Sequence, residues 1–272
     1  MFKKNLIICM TALTVATNVL AGNPFFEAYK TPHQTIPFDL IKIEHYMPAF
    51  EEGMKQQSKQ INDIINNTAA PTFDNTIAAL DHSGELLDKV SSAFYNLMSA
   101  ETNDELQQVA QDLSPKMTEH ANSIRLNEKL FTRIKAVYDQ KDKLKLTPEQ
   151  TTLLVDTYDG FANNGANLSV KDKEKYRELS KQLSAVELTY SQNVLKETNK
   201  YQLVIGDKKL LIGLPDDMLE MLAANAKKAG KQGWLIDLKA TSYVPVMKYA
   251  DNRDLRRELY MANSTKCMVG GE

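Results

Sequence analysis

From Ile43 onward the apolar residues recur three and four apart with polar residues between them, the pattern of helices that turn one face inward. The first run, from Ile43 to about Asn66, carries Phe50, Met54, Ile61, Ile64 and Ile65 and ends ahead of Pro71. Thr72 fits the N-cap of a second, whose stripe of Ile77, Leu80, Leu87, Val90, Phe94, Leu97 and Met98 extends to about Ala100. Gly84 lies inside that run at a cost of about 1 kcal/mol relative to Ala, which points to a bend or close packing. Asn103-Asp104 opens a third helix, and Asn127 a shorter one with Leu130, Phe131, Ile134, Val137 and Tyr138. Thr147-Pro148-Glu149-Gln150 combines a capping Thr, a Pro at the first helical position and a Gln placed for a capping box, so a helix runs from there to near Gly165.

The longest helical stretch is Ser169 to about Lys200, where Tyr176, Leu179, Leu183, Val186, Leu188, Tyr190, Val194 and Leu195 spread around a charged surface. The period then changes. Tyr201–Ile205 and Trp234–Lys239 have the alternating, β-branched character of strands, and either direction of pairing is open to them. Between them Leu214-Pro215-Asp216-Asp217 opens a helix that closes at Gly230. Ser242 to Asn263 reads as two short helices joined at Ala250-Asp251, with Asp251 as N-cap of the second and Leu255, Leu259 and Ala262 on its inward face. Ahead of Ile43, the Pro- and aromatic-rich stretch from Asn23 to Pro37 suits an extended segment laid over a helical body. The fold class that follows is mainly α, a multi-helix domain with one small two-stranded β element and no repeat of solenoid period.

Composition removes several function classes. The chain has 272 residues, 33 basic against 35 acidic, so no global field favours nucleic acid or an anionic membrane. Met1 to Ala21 carries Lys3 and Lys4, then a short apolar run diluted by threonines, then small residues before Gly22. This predicts a secretory signal peptide over 1–21, a domain over 22–272, a secreted or periplasmic location, and no membrane attachment once the signal is removed. Loss of Cys9 with the signal leaves Cys267 alone, which excludes an internal disulfide and a cysteine-based zinc site.

Candidate chemistry is sparse. His33, His45, His82 and His120 lack the His-Glu-x-x-His spacing that puts two imidazoles and a water-activating Glu on one helical face, so each reads as a surface or hydrogen-bonded structural residue. Glu51-Glu52, Asp216-Asp217 and Asp251/Asp254 read as solvated faces or helix starts. Ser91, Ser92 and Ser242 lack the glycine-bounded turn of a hydrolase nucleophile, and Gly270-Gly271 is not a phosphate cradle. The densest polar cluster is Arg253, Arg256 and Arg257 with Tyr243, Tyr249 and Tyr260. It suits carboxylate binding but more readily interhelical pairing. No catalytic, cofactor-binding or metal position is assigned.

Several stretches together resemble one family. They are Asn23-Pro-Phe-Phe, Pro37-Phe-Asp followed by Ile43-Glu-His-Tyr-Met-Pro-Ala-Phe50, Ala70-Pro-Thr-Phe-Asp-Asn-Thr-Ile-Ala-Ala-Leu80, Phe94-Tyr-Asn-Leu97, Thr102-Asn-Asp-Glu-Leu106, Gln192-Asn-Val-Leu195, Gly213-Leu-Pro215 and Tyr249-Ala-Asp-Asn-Arg253. In this order they are similar to the N-terminal half of the M3 (thimet oligopeptidase-like) zinc metallopeptidases, bacterial peptidyl-dipeptidase branch. The resemblance implies a substrate-channel portion of an enzyme that removes dipeptides from oligopeptides, with zinc held in a catalytic half absent from this chain. The expectation is a chain inactive as it stands, with oligopeptides and a separate catalytic half as partners. A stand-alone helical peptide-binding protein is the alternative.

Overall fold

In a computed structural model, residues 22–268 are described; the expected signal segment, residues 1–21, lies outside them. Among the described residues the chain forms nine long helices and a two-stranded antiparallel sheet, and is 72% helical. The helices are α1 (Ile43–Ile65), α2 (Glu85–Ala100), α3 (Asp104–Arg125), α4 (Glu128–Tyr138), α5 (Pro148–Phe161) and α6 (Val170–Lys200), then α7 (Asp216–Lys228), α8 (Ala240–Tyr249) and α9 (Arg253–Ser264). Strands β1 (Leu203–Ile205) and β2 (Trp234–Ile236) flank α7. The chain divides into two compact units, Met1–Ala185 and Val186–Glu272, and the division falls within α6.

Local capping chemistry sets most helix starts. The Thr72 hydroxyl accepts from the Asn75 N–H at 3.1 Å while the Asn75 side chain accepts from the Thr72 N–H at 2.9 Å. Thr147 and Gln150 form the same reciprocal pair at 3.3 and 3.0 Å. Asn103 and Asn127 each accept from the third backbone N–H onward, at 2.9 and 3.0 Å. Each arrangement satisfies donors that a helix leaves without an internal partner.

The structure departs from the sequence expectation in three places. The run from Thr72 to Ala100 is not one helix: Phe73–Ala78 winds as a π-helix into Ala79–Asp81, and α2 restarts after Gly84. Gly84 sits at φ 91°, a left-handed conformation open to glycine, and its N–H donates to the Gln60 side chain at 2.9 Å. The cap of α9 is Asn252 rather than Asp251, its Oδ1 accepting from Asp254 and Leu255 at 3.0 and 3.1 Å. The Asp251 N–H instead donates to Ile212 O at 2.8 Å, which holds that residue outside the helix. The stretch from Asn23 to Pro37 contains two short 3-10 turns, Pro24–Phe26 and Pro32–Gln34, and the first buries Phe25.

In the first unit Ile61, Ile64, Phe73, Ile77, Leu130, Phe131, Ile134, Val137, Leu154 and Phe161 form one buried cluster. Beside it, helices α1 and α2 lie so close that a Cβ on buried Gly53 would come 3.0 Å from the Leu87 backbone. In the second unit the antiparallel pair, with Leu203 opposite Ile236 and Ile205 opposite Trp234, joins α7, α8 and α9. Leu211, Leu222, Ile236, Val246 and Leu259 are each at most 1% exposed in that core. Leu255 and Leu259 point inward as the three-and-four spacing requires.

Candidate functional site

Helix α1 supplies Gln57 and α3 supplies His120, 63 positions apart, and the two side chains meet at 2.6 Å. Gln57 Nε2 donates to Ser83 O at 3.2 Å, which turns its carbonyl oxygen toward the ring. His120 Nε2 is therefore the protonated nitrogen, donating to Gln57, and Nδ1 is left as an acceptor. The left-handed turn at Gly84 makes this arrangement possible, because a Cβ there would come 2.4 Å from Gln57 Nε2. Burial lowers the pKa of His120, so the imidazole is neutral at pH 7.

This network borders a cleft of about 500 Å³ formed by α1, α2, α3, α5 and the short turn ahead of Gly84. Leu80, Leu87, Met117, Ile124 and Phe161 give it apolar walls, while Asp81, Arg125 and Asp156 are exposed along it. A half-buried imidazole, an apolar surface and charges of both signs are the groups that hold a peptide side chain, and the volume is in the range of small-ligand sites.

The other histidines are apart from this one. His45 Nδ1 accepts from the Lys42 N–H at 3.0 Å and so caps α1, with its pKa lowered by burial; His33 and His82 are exposed. Among the described residues no three His, Cys, Asp or Glu side chains are grouped so as to hold a metal ion. Zinc, which the resemblance implies for the whole enzyme, thus finds no fitting donor set in residues 22–268. The C-terminal Arg/Tyr cluster divides by role. Arg256 donates to the carbonyls of Ala250 and, at 3.1 Å, Asp251, closing the end of α8, while Arg253 and Arg257 are exposed on α9.

Several of the stretches that carry the family resemblance form joints within their unit. Asn23 caps its turn through Phe25 N–H and donates to His45 O at 2.8 Å. Phe25, Tyr46, Phe50 and Phe94 form a chain of aromatic contacts with centroids 5.1–5.5 Å apart. Lys89 fastens the same segment, donating to Phe25 O and Glu27 O at 2.9 and 2.6 Å. Buried Arg133 donates to Asn67 O at 2.8 Å and to Asn75 Oδ1 at 3.1 Å, locking the Ala70–Leu80 stretch onto α4. In the second unit Gly213, at φ 96°, packs where a Cβ would come 2.2 Å from Tyr249 O, so Gly213–Pro215 and Tyr249–Arg253 are adjacent.

No family model matches the chain. The chain is 34% identical to the dipeptidyl carboxypeptidase of Salmonella typhimurium over 252 residues, covering 92% of this chain and 37% of that protein. It is 35% identical to the dipeptidyl carboxypeptidase of Escherichia coli over 245 residues, 90% of this chain and 36% of that protein. The oligopeptidase A of Salmonella typhimurium is 27% identical over 249 residues, 92% of this chain and 36% of its own length. The chain belongs with the M3 peptidases. It corresponds to their N-terminal portion and spans little more than a third of the length of these relatives.

The M3-like stretches were legible in the sequence, but the His120 cleft was not. No local pattern links Gln57 to His120, and the one available signal was Gly84, whose cost inside an apolar stripe marks a place where another chain segment comes close.

Proposed function

We propose that this chain is the N-terminal, non-catalytic portion of an exported M3 peptidase acting on oligopeptides, and that zinc and the hydrolytic groups belong to the part of the M3 relatives it does not span. The observation that carries this reading is similarity along some nine-tenths of the chain to two dipeptidyl carboxypeptidases. Several of the stretches that carry the resemblance also hold their unit together, among them Asn23–Phe26 against Tyr46 and Ala70–Leu80 against Arg133. By the names of those relatives, the reaction served is release of dipeptides from peptide C-termini. The purified chain with added zinc should release no dipeptide from an oligopeptide, whereas chelator-sensitive release by the chain alone would refute its non-catalytic role. Export predicts a mature N-terminus at Gly22 in the exported fraction, and an intact Met1 there would refute it.

The cleft beside His120 favours a second reading, in which the chain also holds peptide without cutting it. Gly160 lines the cleft with nothing within 4 Å of its Cβ position, so Gly160→Trp should fill the cleft and abolish peptide binding. Binding undiminished in that variant would remove the cleft from consideration.

A further inference from the structure

A second cleft, of about 510 Å³, lies wholly within the first unit, where the end of α1, the junction of α3 with α4 and the start of α6 converge. Three of the side chains lining it are cations, Lys129, Lys173 and Arg177, and one is an acid, Glu128. Three positive charges against one negative leave a local excess of two, in a chain whose formal net charge is −2. Lys173 is the buried member of the group. Its side chain is 5% exposed, and its ammonium donates to Glu128 Oε1 at 3.1 Å. An ammonium carries three N–H donors, so two of them have no acceptor among the described residues. Arg177 stands four positions further along α6, on the same helical face, and is half-buried. Neither its guanidinium nor the Lys129 ammonium makes a hydrogen bond or ion pair among the described residues. Like charges four apart on a helix repel, and the single Glu128 carboxylate does not offset three cations. An anion in the cleft would satisfy the buried donors and relieve that repulsion together.

We propose that this cleft binds a small organic anion by its phosphate or carboxylate group, held between Lys173 and Arg177. The planar fork of Arg177 matches two oxygens of either group, and Lys173 supplies a fixed point charge beside it. Helix α4 begins at the cleft with Asn127, Glu128 and Lys129, and the positive end of its dipole favours the same sign of ligand. The volume exceeds what a bare oxyanion fills. Ile65, Leu126 and Val170 give the cleft an apolar wall and Asn62 and Asn66 add amide groups, which suits an anion carried on a small organic body. No lining residue is shared with the cleft beside His120, so the two sites are separate.

Calorimetric titration of the purified chain at pH 7 and low salt tests this, with glycerol 3-phosphate, succinate and uncharged glycerol as probes. At least one of the two anions should bind saturably below about 10 mM, and glycerol should not bind. Tighter binding of glycerol 3-phosphate assigns the site to phosphate esters, and tighter binding of succinate assigns it to carboxylates. Arg177→Gln should weaken the bound anion at least about ten-fold, as loss of a charge-assisted pair does, and Arg177→Lys should recover only part of that. Lys129→Gln, at an exposed position, is a second variant that should weaken binding while leaving the far-ultraviolet circular dichroism unchanged. Lys145→Gln, outside the cleft, should bind as the parent does. Three results would each overturn the proposal: no saturable binding of either anion, binding undiminished in folded Arg177→Gln and Lys129→Gln chains, or an equal loss in Lys145→Gln. The titration reads no hydrolysis, so its failure leaves the proposed function standing, and the anion site stands or falls without that function.

Discussion

Two glycine-to-alanine substitutions in the first unit should have opposite effects. At Gly84 the backbone is left-handed, which costs an L-residue roughly 1–2 kcal/mol. The added methyl would also come 2.4 Å from Gln57 Nε2 and 2.7 Å from Gln57 Cδ. The flexible Gln57 side chain can move away, but only by giving up its bonds to Ser83 O and His120 Nε2, each worth about 1 kcal/mol. Gly84→Ala should therefore destabilise by about 3–4 kcal/mol. Gly160, within α5, has nothing within 4 Å of its Cβ position, so Gly160→Ala should stabilise by up to about 1 kcal/mol through helix propensity alone. Urea unfolding followed by far-ultraviolet circular dichroism measures both, and NMR of the His120 ring shows whether Gln57 has left. A Gly84→Ala protein as stable as the parent with an unchanged His120 resonance would refute the account of the turn and its network.

Other consequences are more local. Arg133→Met leaves Asn67 O without its side-chain donor and removes one of the donors to Asn75 Oδ1, which keeps the Thr72 N–H, and should cost roughly 1–3 kcal/mol in the same unfolding assay; a neutral result would mean that the guanidinium does not lock the Ala70–Leu80 stretch. Asn252→Ala should cost about 1 kcal/mol and Asp251→Ala much less, and the reverse order would restore Asp251 as the cap of α9. Burial lowers the folded-state pKa of His120, so the unfolded chain binds more protons below the ordinary value of about 6.5. Stability should fall as pH drops from there toward the folded-state pKa, and His120→Gln should reduce that slope relative to the parent. An identical slope would assign the effect elsewhere, with His45, shifted in the same direction by burial, the first group to examine.

The fold was legible where the deciding interaction is local. Thr72, Asn103, Asn127 and Thr147 each reach a backbone N–H three residues on, so their residue types and spacing suffice to place four helix starts. The α9 start slipped by one because Asp251 and Asn252 can both cap, and the choice is made by Ile212 O, some forty positions earlier. Periodicity located α6 but not its burial, since an apolar row has the same spacing whether it faces the chain's own body or a partner. The cleft was hidden for a related reason: Gln57, Gly84 and His120 are separated by whole helices, and single-sequence patterns carry no pairing information across such distances.

The most direct test of the central claim is the chimera in which this chain replaces the matching portion of the Escherichia coli dipeptidyl carboxypeptidase. Dipeptide release is measured against the parent enzyme and against this chain alone. An N-terminal, non-catalytic role requires chelator-sensitive release by the chimera and none by the chain alone. A folded chimera that releases no dipeptide, or a chain that releases it unaided, would contradict the account.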